Sequence, residues 1–250
     1  MEIITVDESN LDQEHICCCL SDKKGESGVK NKKMWLREIF EEGLVFKKAN
    51  VRGKAFIEYI PAEKAWCPIV AEDYLFINCL WVSGQYKGTG IGGILLDECI
   101  EDAKKKNKKG IAILSSKKKR PYLSDPKFLS YKGFKVCDTA YPYFELLYLP
   151  LTSNESVPSF KECAKLGEIK ASEQAVIFYS YQCPYTEKYT HIIEETAKEK
   201  GISFALKRYE STEQAQNAAI AFTTYNLFVN GKFVTHEIVT QDRFIKLLEP

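Results

Sequence analysis

Long apolar runs, an excess of either charge and a histidine cluster are all missing from this 250-residue chain. No stretch approaches the ~20 apolar residues that span a bilayer, so no membrane partner is expected. The start, MEIITVDESN, has no basic region followed by an apolar core, so it does not read as a secretory leader, and a cytoplasmic location is expected. Lys and Arg number 35 against 34 Asp and Glu. The near cancellation removes the global electrostatic ground for a nucleic-acid partner. The three histidines, His15, His191 and His236, have no ligand spacing, and no metal site is expected. Nine cysteines in a chain without a leader read as thiols rather than disulfides. The triplet Cys17-Cys18-Cys19 would point three ways on a helix and reads as small buried hydrophobes.

The chain holds patterned segments without repeats or low-complexity tracts. Residues 2–6 read as a strand, 9–20 as a helix opened by Ser9 or Asn10, and 33–43 as a second helix stopped by Gly43. Strand-like runs follow at 44–49, 54–60, 66–70 and 74–82. From 91 the period changes: Ile91, Leu95, Leu96, Cys99, Ile100 and Ala103 recur at helical spacing to about 106. A strand at 111–115, a short helix at 126–131 and strands in KGFKVCD and YFELLYLPL complete the first half. TSNESVPS (152–159) is the most linker-like stretch. Beyond it come a strand (175–180), a helix (184–200), a strand (202–208), a helix (211–221), a hairpin turning at Asn230-Gly231 and a helix (240–248). The expected division is a domain over 1–151, a linker over 152–164 and a smaller domain over 165–250. The expected fold class is mixed α/β.

Five of the chain's 14 glycines fall in SGQYKGTGIGGILL, residues 83–96. This is where a strand gives way to a helix. A helix start exposes unpaired N–H groups and partial positive charge, which suits a phosphate. Glycines let the backbone approach a ligand and permit positive φ. Lys87 and Thr89 add a charge and a hydroxyl. Gly92 and Gly93 read instead as residues that let the helix sit close to the sheet. The Gly-Lys-Ser/Thr ending of a Walker A loop is absent, and Gly88, Gly90 and Gly93 lack the acidic strand end of a dinucleotide fold.

Gln85-Tyr86-Lys87-Gly88-Thr89-Gly90 resembles the acetyl-CoA loop, Gln/Arg-x-x-Gly-x-Gly/Ala, of the GNAT N-acetyltransferase superfamily. It lies between the right strand and helix, and the element order of about 148 residues agrees. The resemblance implies a central splayed mixed sheet flanked by helices, and acetyl-CoA as cosubstrate. It implies that the N–H groups of Gln85, Tyr86, Lys87, Gly88, Thr89, Gly90 and Ile91 hold the pyrophosphate. It also implies that the strand parts from its neighbour near Leu80, Trp81 and Val82 and pairs with the pantetheine arm. Many members have a tyrosine acid four residues before a Gly-Phe pair. Here that position is Leu129, and Tyr131 stands two residues before Gly133. A slipped helix presenting Tyr131 and protonation by solvent are both open. For the base, Glu58 is a carboxylate in an apolar strand, AFIEYI, and is either tuned by burial or solvent-facing. Asn78 and Cys79 are further candidates for lining the cleft.

In the second half, Cys183 follows a strand and Pro184 suits the first helical position. This resembles the active-site turn of thioredoxin-like folds, where a helix end acidifies the thiol. The resolving cysteine is replaced by Thr186, and Tyr225 stands where those folds keep a cis-proline. The pairing of both halves resembles the YoaP-type acetyltransferases of bacteria. The leading expectation is transfer of an acetyl group to the amine of a small molecule or peptide, with the second domain aiding recognition. Two alternatives stand. One is a monothiol exchange protein working through Cys183, with the first half as an acyl-CoA sensor; the other is a module that binds CoA without turnover. The acceptor's identity and the oligomeric state are not fixed by the sequence.

Overall fold

The computed structural model describes residues 1–18, 27–52, 54–153 and 156–249. The first half builds a seven-stranded sheet from β1 (Ile3–Val6), β2 (Val45–Ala49), β3 (Ala55–Pro61), β5 (Tyr74–Val82), β6 (Gly110–Ser116), β8 (Phe144–Pro150) and β7 (Lys135–Ala140), in that spatial order. Only the β5–β6 pairing is parallel; the others are antiparallel. This is the crossover that α2 (Ile91–Lys105) makes possible. Helix α1 (Ser27–Glu41) lies before β2, and α3 (Pro126–Tyr131) before β7. A short pair, β4 (Ile69–Val70) with β9 (Ser159–Phe160), ties the segment after β8 back to the first sheet's own loop.

The second half builds a four-stranded sheet in the order β11 (Phe204–Arg208), β10 (Ala175–Tyr179), β12 (Tyr225–Val229), β13 (Lys232–Thr235). Helices α4 (Pro184–Glu199), α5 (Thr212–Gln216) and α6 (Gln241–Leu248) connect and cover it. The hairpin turns on Asn230 and Gly231, both at positive φ (49° and 77°), as a type I′ turn requires.

Alternation along the strands sorts the core into faces. Ile57, Tyr59, Leu75, Ile77, Ile111 and Ile113 face α2 and α3. Phe56, Ile60, Tyr74, Phe76, Ala112 and Leu114 face α1, and on that side the core runs on into Val176, Phe228 and Phe233 of the second sheet. The second sheet's other face, with Ile177, Tyr225 and Leu227, lies under α4 and α6. The smaller sheet is therefore packed on the α1 face of the larger one. Gly28 shows how close this packing is: a Cβ there would stand 2.0 Å from the Pro184 carbonyl oxygen.

Four expected elements differ. The helix expected over 33–43 begins at Ser27 and ends at Glu41. The helix over 9–20 is replaced by turns through Asp7–Glu14, because the Asp7 carboxylate accepts from the Ser9 N–H and hydroxyl and closes the chain locally; Cys19 and position 20 lie outside the described residues. The strand over 66–70 shrinks to Ile69–Val70, since Pro68 removes a ladder donor. The helix over 211–221 ends at Gln216. The apolar Ala218, Ile220 and Ala221 beyond it are buried as loop.

Candidate active site

The β5–β6 ladder runs from Tyr74↔Gly110 to Ile77↔Ile113 and stops. β6 continues beside β8 to Ser116, while Asn78–Val82 of β5 have no partner on the β6 side. The sheet therefore splays from Asn78, two residues earlier than the expected Leu80. Burial along β5 changes at the same point, from four buried residues to five half-buried ones. Leu80, Trp81 and Val82 lie on this open arm.

At the point of parting β5 carries a bulge. Glu58 pairs with Cys79 and Tyr59 with Ile77, leaving Asn78 as the extra residue. Such bulges re-aim side chains. Here the Asn78 amide reaches the α1 face, where Nδ2 donates to Glu58 Oε1 at 3.0 Å. Glu58 is 2% exposed, so the solvent-facing alternative does not hold. Its other oxygen accepts from Lys32 Nζ at 2.6 Å, and Lys32 is also 2% exposed. The Lys32 ammonium also sits 4.2 Å from the Trp35 ring centroid. Removing one member of such a buried pair costs about 3–5 kcal/mol, because the other charge is stranded. Asn78 Oδ1 is buried with no hydrogen-bond partner. With Nδ2 committed to a carboxylate, that oxygen is a ready acceptor for a donor from outside.

Beyond the open arm, Gly84–Tyr86 makes a single 3₁₀ turn and Gly90 caps α2 in the left-handed region. Gly88 and Gly90 have φ of +81° and +88°, and a Cβ at either would meet nothing within 4 Å. Backbone conformation demands glycine at both, and the space outside them is open. Thr89 turns its N–H and hydroxyl back to the Tyr86 carbonyl. The N–H groups of Gly88, Gly90, Ile91 and Gly92 find no acceptor among the described residues. Gly92 would place a Cβ 3.4 Å from Val82 and 3.7 Å from Phe128, which is close packing of helix on sheet and neighbour. A Cβ on Gly93 would stand 2.8 Å from Lys132 Nζ, so a cation lies on the first turn of α2. The positive end of a helix disfavours a cation unless an anion joins it.

The network beneath α2 fixes its position. Lys47 on β2 bridges Glu98 (2.9 Å) and Asp102 (2.8 Å), and the Tyr59 hydroxyl donates to Asp102. Burial opposes the Lys47 charge, but the hydrogen bonds it donates to Asp102 and Glu98 outweigh it and raise its pKa. Burial likewise opposes the Asp102 charge, and the bonds from Lys47 and Tyr59 overturn that and lower it.

Tyr131 is not joined to this site. The register of α3 turns Leu129 fully inward and leaves Tyr131 85% exposed. In the basic run 117–120, Lys119 pairs with Asp125 at 2.8 Å and Arg120 lies 3.7 Å from the Tyr143 ring. Cys183 caps α4, half-buried, and its carbonyl accepts from the hydroxyl of the fully buried Thr186. No three His, Cys, Asp or Glu side chains gather as a metal site, and no helix is long and apolar enough to cross a membrane, among the described residues.

Sequence reasoning missed Lys32, Lys132 and the residues that face Asn78 from the second half. A recess at the mouth of the splay is lined by Asn78, Tyr122 and Ser124 from the first half and Gln182, Thr223 and Thr224 from the second. Tyr122 is held at φ 64°, an uncommon conformation for a bulky residue. Burial pushes its hydroxyl up to about 12, with Cys183, Tyr189 and Cys18 adding to the effect. The positive φ had no sequence signal, and the recess joins residues about 45 to 145 positions apart.

Residues 13–120 match the acetyltransferase (GNAT) family and residues 204–246 the YoaP-like family. The chain is 42% identical over 245 residues to the uncharacterized N-acetyltransferase YoaP of Bacillus subtilis (strain 168), covering 98% of this chain and 97% of that one. Among solved structures, the PaiA N-acetyltransferase of Thermoplasma acidophilum in complex with coenzyme A aligns with a TM-score of 0.43 at 19% identity, over 60% of this chain and 99% of that one. A GNAT-family acetyltransferase of Staphylococcus aureus Mu50 aligns at 0.41 and 18%, over 60% and 99%. On the family matches and the near full-length relative, the chain is an acyltransferase and belongs to the GNAT N-acetyltransferase family, in its YoaP type.

Proposed function

We propose that the protein transfers the acetyl group of acetyl-CoA to a primary amine at the splay point of its larger sheet, acting in the cytoplasm. The observation that carries this reading is the coincidence, at Asn78, of the end of the β5–β6 ladder, the bulge and the buried Glu58. The N–H groups of the Gln85–Ile91 loop, with Tyr86, Lys87 and Thr89 between its glycines, hold the pyrophosphate. Lys132 adds charge beside them. The unpaired edge of Leu80, Trp81 and Val82 hydrogen-bonds the pantetheine amides, which leads the thioester carbonyl to Asn78.

The amine reaches the carbonyl from the α1 face. A carboxylate offers about four lone-pair sites, and Lys32 and Asn78 use two on Glu58. Glu58 takes one proton from the ammonium and passes it to solvent. The freed nitrogen lone pair attacks the thioester carbon and forms the C–N bond. As the C–S bond breaks, the nitrogen sheds its second proton to water and the leaving thiolate takes one back. Tyr131, in solvent, leaves that last proton to water rather than delivering it. Fixing the two reactants in this geometry supplies much of the rate.

The reading also divides the chain into an acetyltransferase domain over 1–151, a linker over 152–164 and a thioredoxin-like domain over 165–250, which recognises the acceptor rather than exchanging thiols. Support for recognition is that this domain covers the α1 face and lines the recess. The test is the rate of CoA thiol release with a primary amine across pH. Glu58→Gln lowers kcat/KM by about 10²-fold or more and flattens its rise with pH. An unchanged profile removes Glu58 as the base.

A further inference from the structure

The second half carries a cavity of its own, which shares no lining residue with the recess beside Asn78. It holds about 410 Å³, inside the range of about 300–1,000 Å³ in which small molecules are bound. Its floor is aromatic. Phe178 on β10 stands opposite Lys207 on the parallel β11. Side chains alternate along a strand, so Lys207 and Tyr209 share the Phe178 face of the sheet. Tyr209 stacks on Phe178 with ring centroids 5.5 Å apart, and Phe228 meets Phe178 edge-on at 5.8 Å. Tyr209 and Phe228 are buried, whereas Phe178 is half-buried and keeps part of its ring open to the cavity. On the far wall, in the chain beyond α5, the small side chain of Ala219 leaves the space unfilled.

The charges at the rim have one sign. Lys207 and Arg208 are the charged side chains among the described lining residues. Arg208 is balanced by Glu210 at 2.9 Å and lies on the Tyr181 ring. Lys207 makes no ion pair among the described residues. Glu173 feels its charge through space. The Lys207 ammonium stands 5.7 Å from the Phe178 ring centroid. A ring laid on Phe178 and bearing a carboxylate therefore brings that carboxylate to Lys207. Gln214 adds a donor. Its Oε1 accepts from the Glu210 N–H at 2.9 Å, which leaves Nε2 as the uncommitted end of the amide among the described residues. A polyphosphate or a nucleic acid would ask for several cations, and a single unbalanced lysine answers one carboxylate. A cationic ligand would be repelled.

We propose that this cavity is a binding site for a small aromatic carboxylate, with its ring on Phe178 and its carboxylate on Lys207. The site lies apart from the acetyl-CoA loop and stands whether or not the acetyl-transfer reading does. It gives the second half a ligand of its own.

The test uses the full-length protein and 2-naphthoate, followed by calorimetry. The controls are 2-naphthamide, which lacks the charge, and decahydro-2-naphthoate, which lacks the aromatic face. The wild type binds 2-naphthoate saturably at one site per chain. It binds the amide about threefold more weakly or worse, the worth of one exposed charge pair. It binds the saturated acid more weakly by a similar factor, the worth of one aromatic contact. Lys207→Gln changes an exposed side chain. It brings naphthoate and naphthamide to equal affinity and leaves the thermal midpoint and acetyl-CoA affinity unchanged. Ala219→Phe fills the cavity and abolishes binding of both. No saturable binding of 2-naphthoate, equal affinity for acid and amide in the wild type, or a saturated acid that binds as well as the aromatic one would overturn the proposal. So would an acid preference that survives Lys207→Gln. Displacement of 2-naphthoate by acetyl-CoA would put the acid on the Gln85–Ile91 loop and overturn it equally.

Discussion

Acidification should loosen the join between the two domains through one histidine. His236 follows β13, is fully buried, and bridges the halves. Its Nε2 lies 2.9 Å from the Pro121 carbonyl and its Nδ1 2.6 Å from the Tyr143 hydroxyl. A carbonyl only accepts, so Nε2 carries the proton and Nδ1 accepts from Tyr143. Protonating Nδ1 would break that bond inside an apolar cluster where Phe144, Phe222 and Phe233 pack on Tyr143 and the imidazole. Burial drives the His236 pKa down from 6.5 to about 4; the Pro121 bond and Glu237 oppose the shift, and Arg120 and Arg243 add to it. The folded-state value lies below the unfolded one, so between these limits the unfolded chain binds more protons. The stability His236 contributes is whole above about pH 6.5 and is lost as pH falls toward 4. The full shift corresponds to about 3 kcal/mol, and the part lost between pH 7 and 5 to about 2 kcal/mol. The assay is urea unfolding at both pH values for the wild type and His236→Gln, so that other titrating groups cancel. The wild type should lose about 2 kcal/mol more than the variant. Equal losses, or a wild type relatively steadier at pH 5, would refute the argument.

Gly28→Ala drives a Cβ against the Pro184 backbone. It should cost about 1–3 kcal/mol in denaturant unfolding and lower kcat, since Lys32 follows one turn later, while acetyl-CoA affinity holds. Tyr131→Phe should change kcat by less than about twofold, against the 10²-fold or more of a working acid; a larger loss in steady-state assays would return Tyr131 to the mechanism.

Much of the larger sheet was legible because its signals are local. The bounds of β5 and α3 coincide with the patterned runs, and α2 ends one residue short of its own, because periods of two and 3.6 residues are interrupted there by glycine or capped by Asp125. The glycines at 88 and 90 proved to be conformational necessities. The N-terminal helix misled because apolar spacing there competes with an Asp7 side chain that closes turns. Lys32 was invisible as a partner of Glu58, since the helix expected over 33–43 left it outside, and a lysine ordinarily faces water until the packing of the longer α1 turns it inward. The recess beside Asn78 was hidden for a related reason. Its walls come from separate sheets, and Gln182 and Thr223 face Asn78 only because the second half packs on the first.

The account rests on acetyl-CoA lying along the open arm of β5 with its pyrophosphate on the Gln85–Ile91 loop. Calorimetric titration of acetyl-CoA into the wild type and Gly88→Trp tests this most directly, because a Cβ there meets nothing within 4 Å and a side chain at φ +81° both strains the loop and enters the space assigned to the phosphates. Saturable one-to-one binding by the wild type and at least tenfold weaker binding by a variant with unchanged circular dichroism is the predicted result, about 1.4 kcal/mol or more. Equal affinity in the two proteins would contradict it.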